Sequence, residues 1–169
     1  PLKDMVRGAI FNIIHHSNLL NIKIEKTIVL DLFSGVGSFG LEALSRGAKK
    51  VVFFENFQPT LKLLYKNISN LSFNEKSEVN KKNVYQKKTF INLDYKFNLI
   101  FIDPPFKDNK VNFLLECLTD QKILSKKTLI LIHRHRNTKD EFIKKFKIMR
   151  EETYGSSKII FGFIDFSES

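Results

Sequence analysis

The stretch Thr27-Ile28-Val29-Leu30-Asp31-Leu32-Phe33-Ser34-Gly35-Val36-Gly37-Ser38-Phe39-Gly40 decides the fold. Thr27 to Leu30 is a short apolar run closed by the carboxylate of Asp31, the pattern of a central parallel strand buried on both faces. Gly35, Gly37 and Gly40 follow with G-x-G-x-x-G spacing, and Ser38 to Arg46 reads as a helix with Gly47 just past its end. Gly35 permits the tight turn, and Gly37 lets backbone approach a ligand with no Cβ in the way. A strand, a glycine turn and a helix in this order announce an α/β sheet.

Working outward, strands alternate with helices. Lys3 to Asn18 carries apolar residues at helical spacing, with Asp4 near its start. Gly8 inside it costs about 1 kcal/mol against Ala, so either close packing excuses it or the helix begins later. Lys50 to Glu55 is a second strand, and Gln58 to Asn70 a helix with Pro59 in its first turn. Glu78 to Asn80 is a weak third strand, and Tyr85 to Leu93 a poor helix. Phe97 to Ile102 is a strong fourth strand, Lys110 to Leu118 a helix, Thr128 to His133 a fifth strand and Thr138 to Lys145 a short helix. Phe146 to Thr153 and Lys158 to Phe166 form a hairpin around Tyr154-Gly155-Ser156-Ser157. The expectation is one domain, a doubly wound and mostly parallel sheet with one antiparallel strand.

The glycine turn invites a nucleotide. Glu55 ends the second strand 20 residues beyond Gly35, where an acid accepts both hydroxyls of a ribose. Asp31, at the mouth of the turn, repels a pyrophosphate and suits an amine or a cation. S-adenosylmethionine has an α-amino group, a sulfonium and no phosphate, so it fits better than a dinucleotide. A tight turn without any ligand is the plain alternative.

Asp103-Pro104-Pro105-Phe106 closes the fourth strand, on the same sheet edge as the glycine turn. The exocyclic amine of a nucleobase is a poor nucleophile because its lone pair is delocalised into the ring. The Asp103 carboxylate and the Pro104 carbonyl are two acceptors able to draw its protons out of plane and free that lone pair. Pro105 locks its own φ and so fixes the second acceptor. Phe106 is placed to stack on a base extracted from its neighbours. An ordinary strand-ending turn is the bland reading of D-P-P-F alone.

These residues resemble the class I S-adenosylmethionine-dependent methyltransferases that methylate amines. More closely, the chain resembles the bacterial family that methylates a guanine amino group in small-subunit (16S) ribosomal RNA. Pro1-Leu2-Lys3-Asp4-Met5-Val6-Arg7 with Phe11-Asn12 is similar to that family's opening P-T-x-D-x-V-R-E-x-x-F-N. The block from Asp31 to Ala48 is similar to its cofactor block, and Asp103-Pro104-Pro105-Phe106 to its catalytic motif. The resemblance implies a seven-stranded Rossmann-like sheet. It implies that Asp31, Gly35 and Gly37 hold the methionine end of the cofactor, Glu55 its ribose and Asn83 its adenine, with Phe33 a further cofactor-binding residue. Asp103, Pro104 and Phe106 are the implied catalytic residues, with Pro105, Arg7, Arg134 and Arg136 toward RNA. The family's basic N-terminal hairpin is not part of this sequence, and a chain beginning at Pro1 suggests an upstream segment. His133-Arg134-His135-Arg136 stands where the family commonly has an acid. Two His at i, i+2 with no Cys or clustered acid read as a basic phosphate-facing loop rather than a metal site.

Composition agrees. The 169 residues include 28 Lys and Arg against 18 Asp and Glu, a net charge of +10 with a pI near 9.6, which favours a polyanionic partner. Cys117 is the single cysteine, so an internal disulfide is excluded. No stretch approaches the roughly 18 apolar residues of a membrane span. A cytoplasmic monomer acting on ribosomal RNA, naked or within an assembled small-subunit particle, is the expectation. Amino methylation of another base, such as adenine in DNA or RNA, a nicotinamide-dependent oxidoreductase and a non-catalytic RNA chaperone are the alternatives.

Overall fold

The computed structural model describes residues 2–167. Strands β1 (Ile28–Leu32), β2 (Lys50–Phe54), β3 (Ser77–Asn80), β4 (Leu99–Ile102), β5 (Leu129–His135), β6 (Phe146–Tyr154) and β7 (Ser157–Ile164) share one sheet in the order β3-β2-β1-β4-β5-β7-β6. β7 alone runs against its neighbours β5 and β6. Helices α1 (Asp4–His16), α2 (Ser38–Ser45), α3 (Gln58–Asn70) and α4 (Val111–Thr119) complete the regular structure, with short 3₁₀ turns at Asn74–Lys76 and Lys87–Phe90. Among the described residues no helix is long and apolar enough to cross a membrane.

The two-residue period of the strands divides the core into two layers. Val29, Val51, Phe53, Leu99 and Phe101 pack with Ile10, Phe39 and Leu64 from α1, α2 and α3 on one face. Leu30, Leu32, Val52, Ile100 and Ile102 pack with Leu114 and Leu118 of α4 on the other. Both faces being covered explains why these strands are apolar without alternation. α2 lies close on the sheet because Gly40 has no side chain: a Cβ there would stand 2.3 Å from the Phe53 ring and 2.8 Å from Val51.

The topology places the site. The chain steps outward from β1 to β2 and β3, then returns across the sheet to β4 on the other side of β1. The carboxyl ends of β1 and β4 therefore border the switch-point crevice. Asp31 pairs in register with Phe101, two residues before Asp103, and the Asp103 N–H bonds to the Leu32 carbonyl at 3.3 Å.

Two expected helices are not helices. From Tyr85 to Leu93 only the 3₁₀ turn forms, because the Asn83 side chain accepts the Tyr85 N–H at 2.9 Å and competes with helical pairing. Thr138 to Lys145 is irregular. There Asn112 of α4 donates to the Glu141 carbonyl and accepts the Ile143 N–H at 3.1 Å, so tertiary contacts override local propensity. Gly8 meets neither expectation either: α1 begins at Asp4 and nothing lies within 4 Å of where a Gly8 Cβ would stand.

Candidate active site

The two motifs line a single cavity of about 680 Å³, in the range of small-molecule sites. Its walls include Asp31, Phe33, Gly35, Glu55, Asn83, Asp103, Pro104, Pro105 and Phe106. The glycine turn is held in left-handed backbone, with φ of +57° at Gly35 and +93° at Gly37. A Gly37 Cβ would meet Leu64 at 2.7 Å and Leu41 at 3.0 Å, so its bare Cα serves close packing against the helices and not the approach of a ligand expected from the sequence. Phe33 shares that conformation, φ +59°, which is unusual for an aromatic residue and marks the turn as strained.

Four carboxylates line the cavity, Asp31, Glu55, Asp103 and Asp108, the last held by the Tyr85 hydroxyl. Asp31 lies deeper than the mouth position its spacing suggests, at 1% exposure, with Oδ2 accepting the Gly40 N–H at 3.0 Å. Burial pushes its carboxyl well above the ordinary range, against the pull of the Gly40 bond, and the charges of Asp103 and Glu55 push the same way. Glu55 bridges two loops: Oε1 accepts the Gly35 N–H at 2.9 Å and Oε2 the Phe57 N–H at 3.0 Å. Each oxygen keeps a second lone pair for a ligand hydroxyl. The third carboxylate, Asp103, opens the D-P-P-F turn, where Pro104 is buried and Phe106 is 63% exposed.

The arginines divide. Arg134 is not on a phosphate-facing loop, which corrects the sequence reading. Its side chain is 3% exposed, paired to Asp140 at 2.9 Å, and donates to the Asp108 carbonyl at 2.7 Å. The reason is that β5 runs on to His135, so Arg134 alternates into the interior. Arg136 is exposed and donates to the Gly155 carbonyl at 3.0 Å. Arg7 lies outside the cavity, shared between Asp4 at 3.3 Å and Glu42 at 3.4 Å. Pro1 of the opening motif falls outside the described residues.

Sequence reasoning passed over Tyr85 on the cavity wall and placed His133 and His135 on a phosphate-facing loop, whereas both lie on β5 beside the D-P-P-F turn. Tyr85 stands 5.5 Å from the Phe33 ring and donates through its hydroxyl to Asp108, tying the segment after β3 to the loop after D-P-P-F. His133 bonds to Asp103, and the His135 ring meets Phe106 edge-on at 4.8 Å. The signal for both was the i, i+2 spacing, which puts two residues of one strand on the same face.

The cavity fits S-adenosylmethionine on its own features. Its floor is acidic, suiting a sulfonium and an α-amino group and repelling a pyrophosphate. Ser34 Oγ is buried on its wall with no hydrogen-bond partner among the described residues, a polar group that a ligand would satisfy. Asn56, Phe57 and Val84 add edge contacts for a planar ring.

A seven-stranded sheet in this order, with a glycine turn after β1 and D-P-P-F after β4, defines a Rossmann-like methyltransferase. Residues 1–162 match the family described as Conserved hypothetical protein 95, and the chain belongs to that family. It is 31% identical over 157 residues to Ribosomal RNA small subunit methyltransferase D of Haemophilus influenzae, covering 92% of this chain and 78% of that one. A solved conserved hypothetical protein from Streptococcus pyogenes superposes with a TM-score of 0.81 at 26% identity, over 95% of this chain and 96% of the other. An RNA methyltransferase from Salinibacter ruber, solved with S-adenosyl-L-homocysteine, gives a TM-score of 0.71 over 97% and 93% of the two chains. At 16% identity that likeness bears on the fold.

Proposed function

We propose that this chain transfers a methyl group from S-adenosylmethionine to the exocyclic amino group of a guanine in small-subunit ribosomal RNA. It does so as a cytoplasmic monomer, on RNA that is naked or assembled into a small-subunit particle. The observation that carries the reading is the meeting of Asp103 and Pro104 with the acidic cofactor cradle in one cavity. The name of the Haemophilus relative supports small-subunit ribosomal RNA as substrate, as does the net charge of +10.

Asp31 and Gly35 are assigned the methionine end of the cofactor, Glu55 the ribose and Asn83 the adenine, with Phe33 a further cofactor-binding residue. The bound cofactor supplies a methyl group on a positively charged sulfur. Asp103 and the Pro104 carbonyl accept the two amine hydrogens and direct the nitrogen lone pair into the cavity. Pro105 holds that carbonyl in place, and Phe106 offers an exposed face for the extracted base. The residues contribute orientation and charge, with little demand for acid strength.

The test is transfer of labelled methyl from S-adenosylmethionine to small-subunit RNA and, separately, to assembled particles, followed by nucleoside analysis. Label on guanine N2 is expected; label on the adenine amine would overturn guanine as the substrate, and label on a ring nitrogen would overturn the amine assignment. In single turnover, Asp103→Asn should lower the rate roughly a hundredfold, about the 3 kcal/mol of a lost transition-state contact, with cofactor binding spared. A wild-type rate would remove the clamp.

A further inference from the structure

His133 sits between two partners that the sequence keeps far apart. Its Nδ1 is 2.9 Å from Asp103 Oδ1, and its Nε2 is 2.9 Å from Ser157 Oγ. Both His133 and Asp103 are largely withdrawn from solvent, with side chains 13% and 22% exposed. β5 pairs with β7 so that His133 faces Ile159, which makes Ser157 the diagonal neighbour on the same face. An ionised carboxylate can only accept, so the proton on this contact belongs to Nδ1. In the neutral ring Nε2 is then an acceptor, and the Ser157 hydroxyl donates to it.

We propose that His133, oriented by Ser157, is a positioning residue for Asp103. Resting on the amine-clamp reading above, it fixes Oδ1 and so turns Oδ2 toward the amine. An Asp at a strand end otherwise rotates about its last side-chain bond, and each rotation moves an acceptor off the proton it must meet. The hairpin strand β7, remote from both motifs in sequence, thereby enters the site through Ser157.

Single-turnover methyl transfer at saturating cofactor and RNA tests this. His133→Ala should lower the rate about 10–100-fold, by analogy with the loss of a partner that orients a metal-ligating side chain. KM for cofactor and RNA should stay within about twofold. His133→Asn keeps an amide N–H near the Nδ1 position and should recover most of the rate, whereas His133→Leu should not. Equal rates in the Asn and Leu variants, or a wild-type rate in His133→Ala, would overturn the proposal. Asp103→Asn run in parallel separates the two readings. If it alone is slow, positioning fails and the clamp stands; if it too is fast, the clamp fails. A second measurement needs no activity: nitrogen NMR of the folded protein should show His133 protonated at Nδ1, and an unprotonated Nδ1 would refute the contact directly.

Discussion

Burial of Asp31 sets stability against function at a single side chain. Its raised carboxyl binds a proton more tightly in the folded chain than in the unfolded one. The associated stability is therefore complete below the ordinary carboxylate range and is lost as pH rises through the folded value. Above the folded value the charged form is held at a cost. Asp31→Asn keeps an acceptor for the Gly40 N–H and removes the charge, so its Tm relative to wild type should rise with pH once the folded value is passed, each kcal/mol being worth about 2–4 °C in a chain of this size. The gain should vanish in acid, where Asp31 is protonated anyway, and S-adenosylmethionine affinity should fall. Thermal melts across pH with calorimetry check both, and a Tm difference that does not change with pH would contradict the burial argument. Glu55 differs because it is partly open and carries two backbone bonds. Glu55→Ala should weaken S-adenosylmethionine by about 1.5–3 kcal/mol, the range for hydrogen bonds to charged groups. Unchanged affinity in titration calorimetry would reject the ribose assignment.

Two glycines show how differently one substitution acts within an element. Gly8 is inside α1 with open space around it, so Gly8→Ala should stabilise by about 1 kcal/mol through helix propensity alone. Gly40 is inside α2 against Phe53 and Val51, and Gly40→Ala should destabilise by about 1–3 kcal/mol as the helix is pushed off the sheet. Denaturant melts of the pair should move in opposite directions. The same contrast explains what was legible in the sequence. α3 is expected and found over Gln58–Asn70 because its apolar stripe and Pro59 are local signals. The Thr138 to Lys145 helix was misread because Asn112, 29 residues from Glu141, decides that segment. Likewise Asp31, Glu55 and Asp103 announce themselves by closing apolar runs, and all three line the cavity. His133 closes an apolar run too, but its role is not legible there, because it lies in contacts with Asp103 and with Ser157 on β7.

At the scale of the molecule, a chain of net charge +10 holds a cavity lined by four carboxylates and one lysine, Lys82. The two signs serve different ligands. The acidic floor faces a cationic cofactor, and the basic exterior draws in a polyanion. Only exposed cations take part in the second role, so Arg134 and Arg136 should behave oppositely though one residue separates them. RNA affinity should fall linearly in log salt, with a slope of about −0.7 for each single-stranded phosphate contact. Arg136→Ala should reduce that slope by about one contact and leave Tm within about 0.5 kcal/mol of wild type. Arg134→Ala should leave the slope alone and cost about 3–5 kcal/mol of stability, because it strands Asp140 beside the D-P-P-F loop. Salt titrations of RNA binding, run with melts on the same samples, separate the two. A slope change in Arg134→Ala at temperatures where it is folded would put that side chain on phosphate after all. A flat salt dependence in the wild-type chain would remove RNA as the partner of the basic surface.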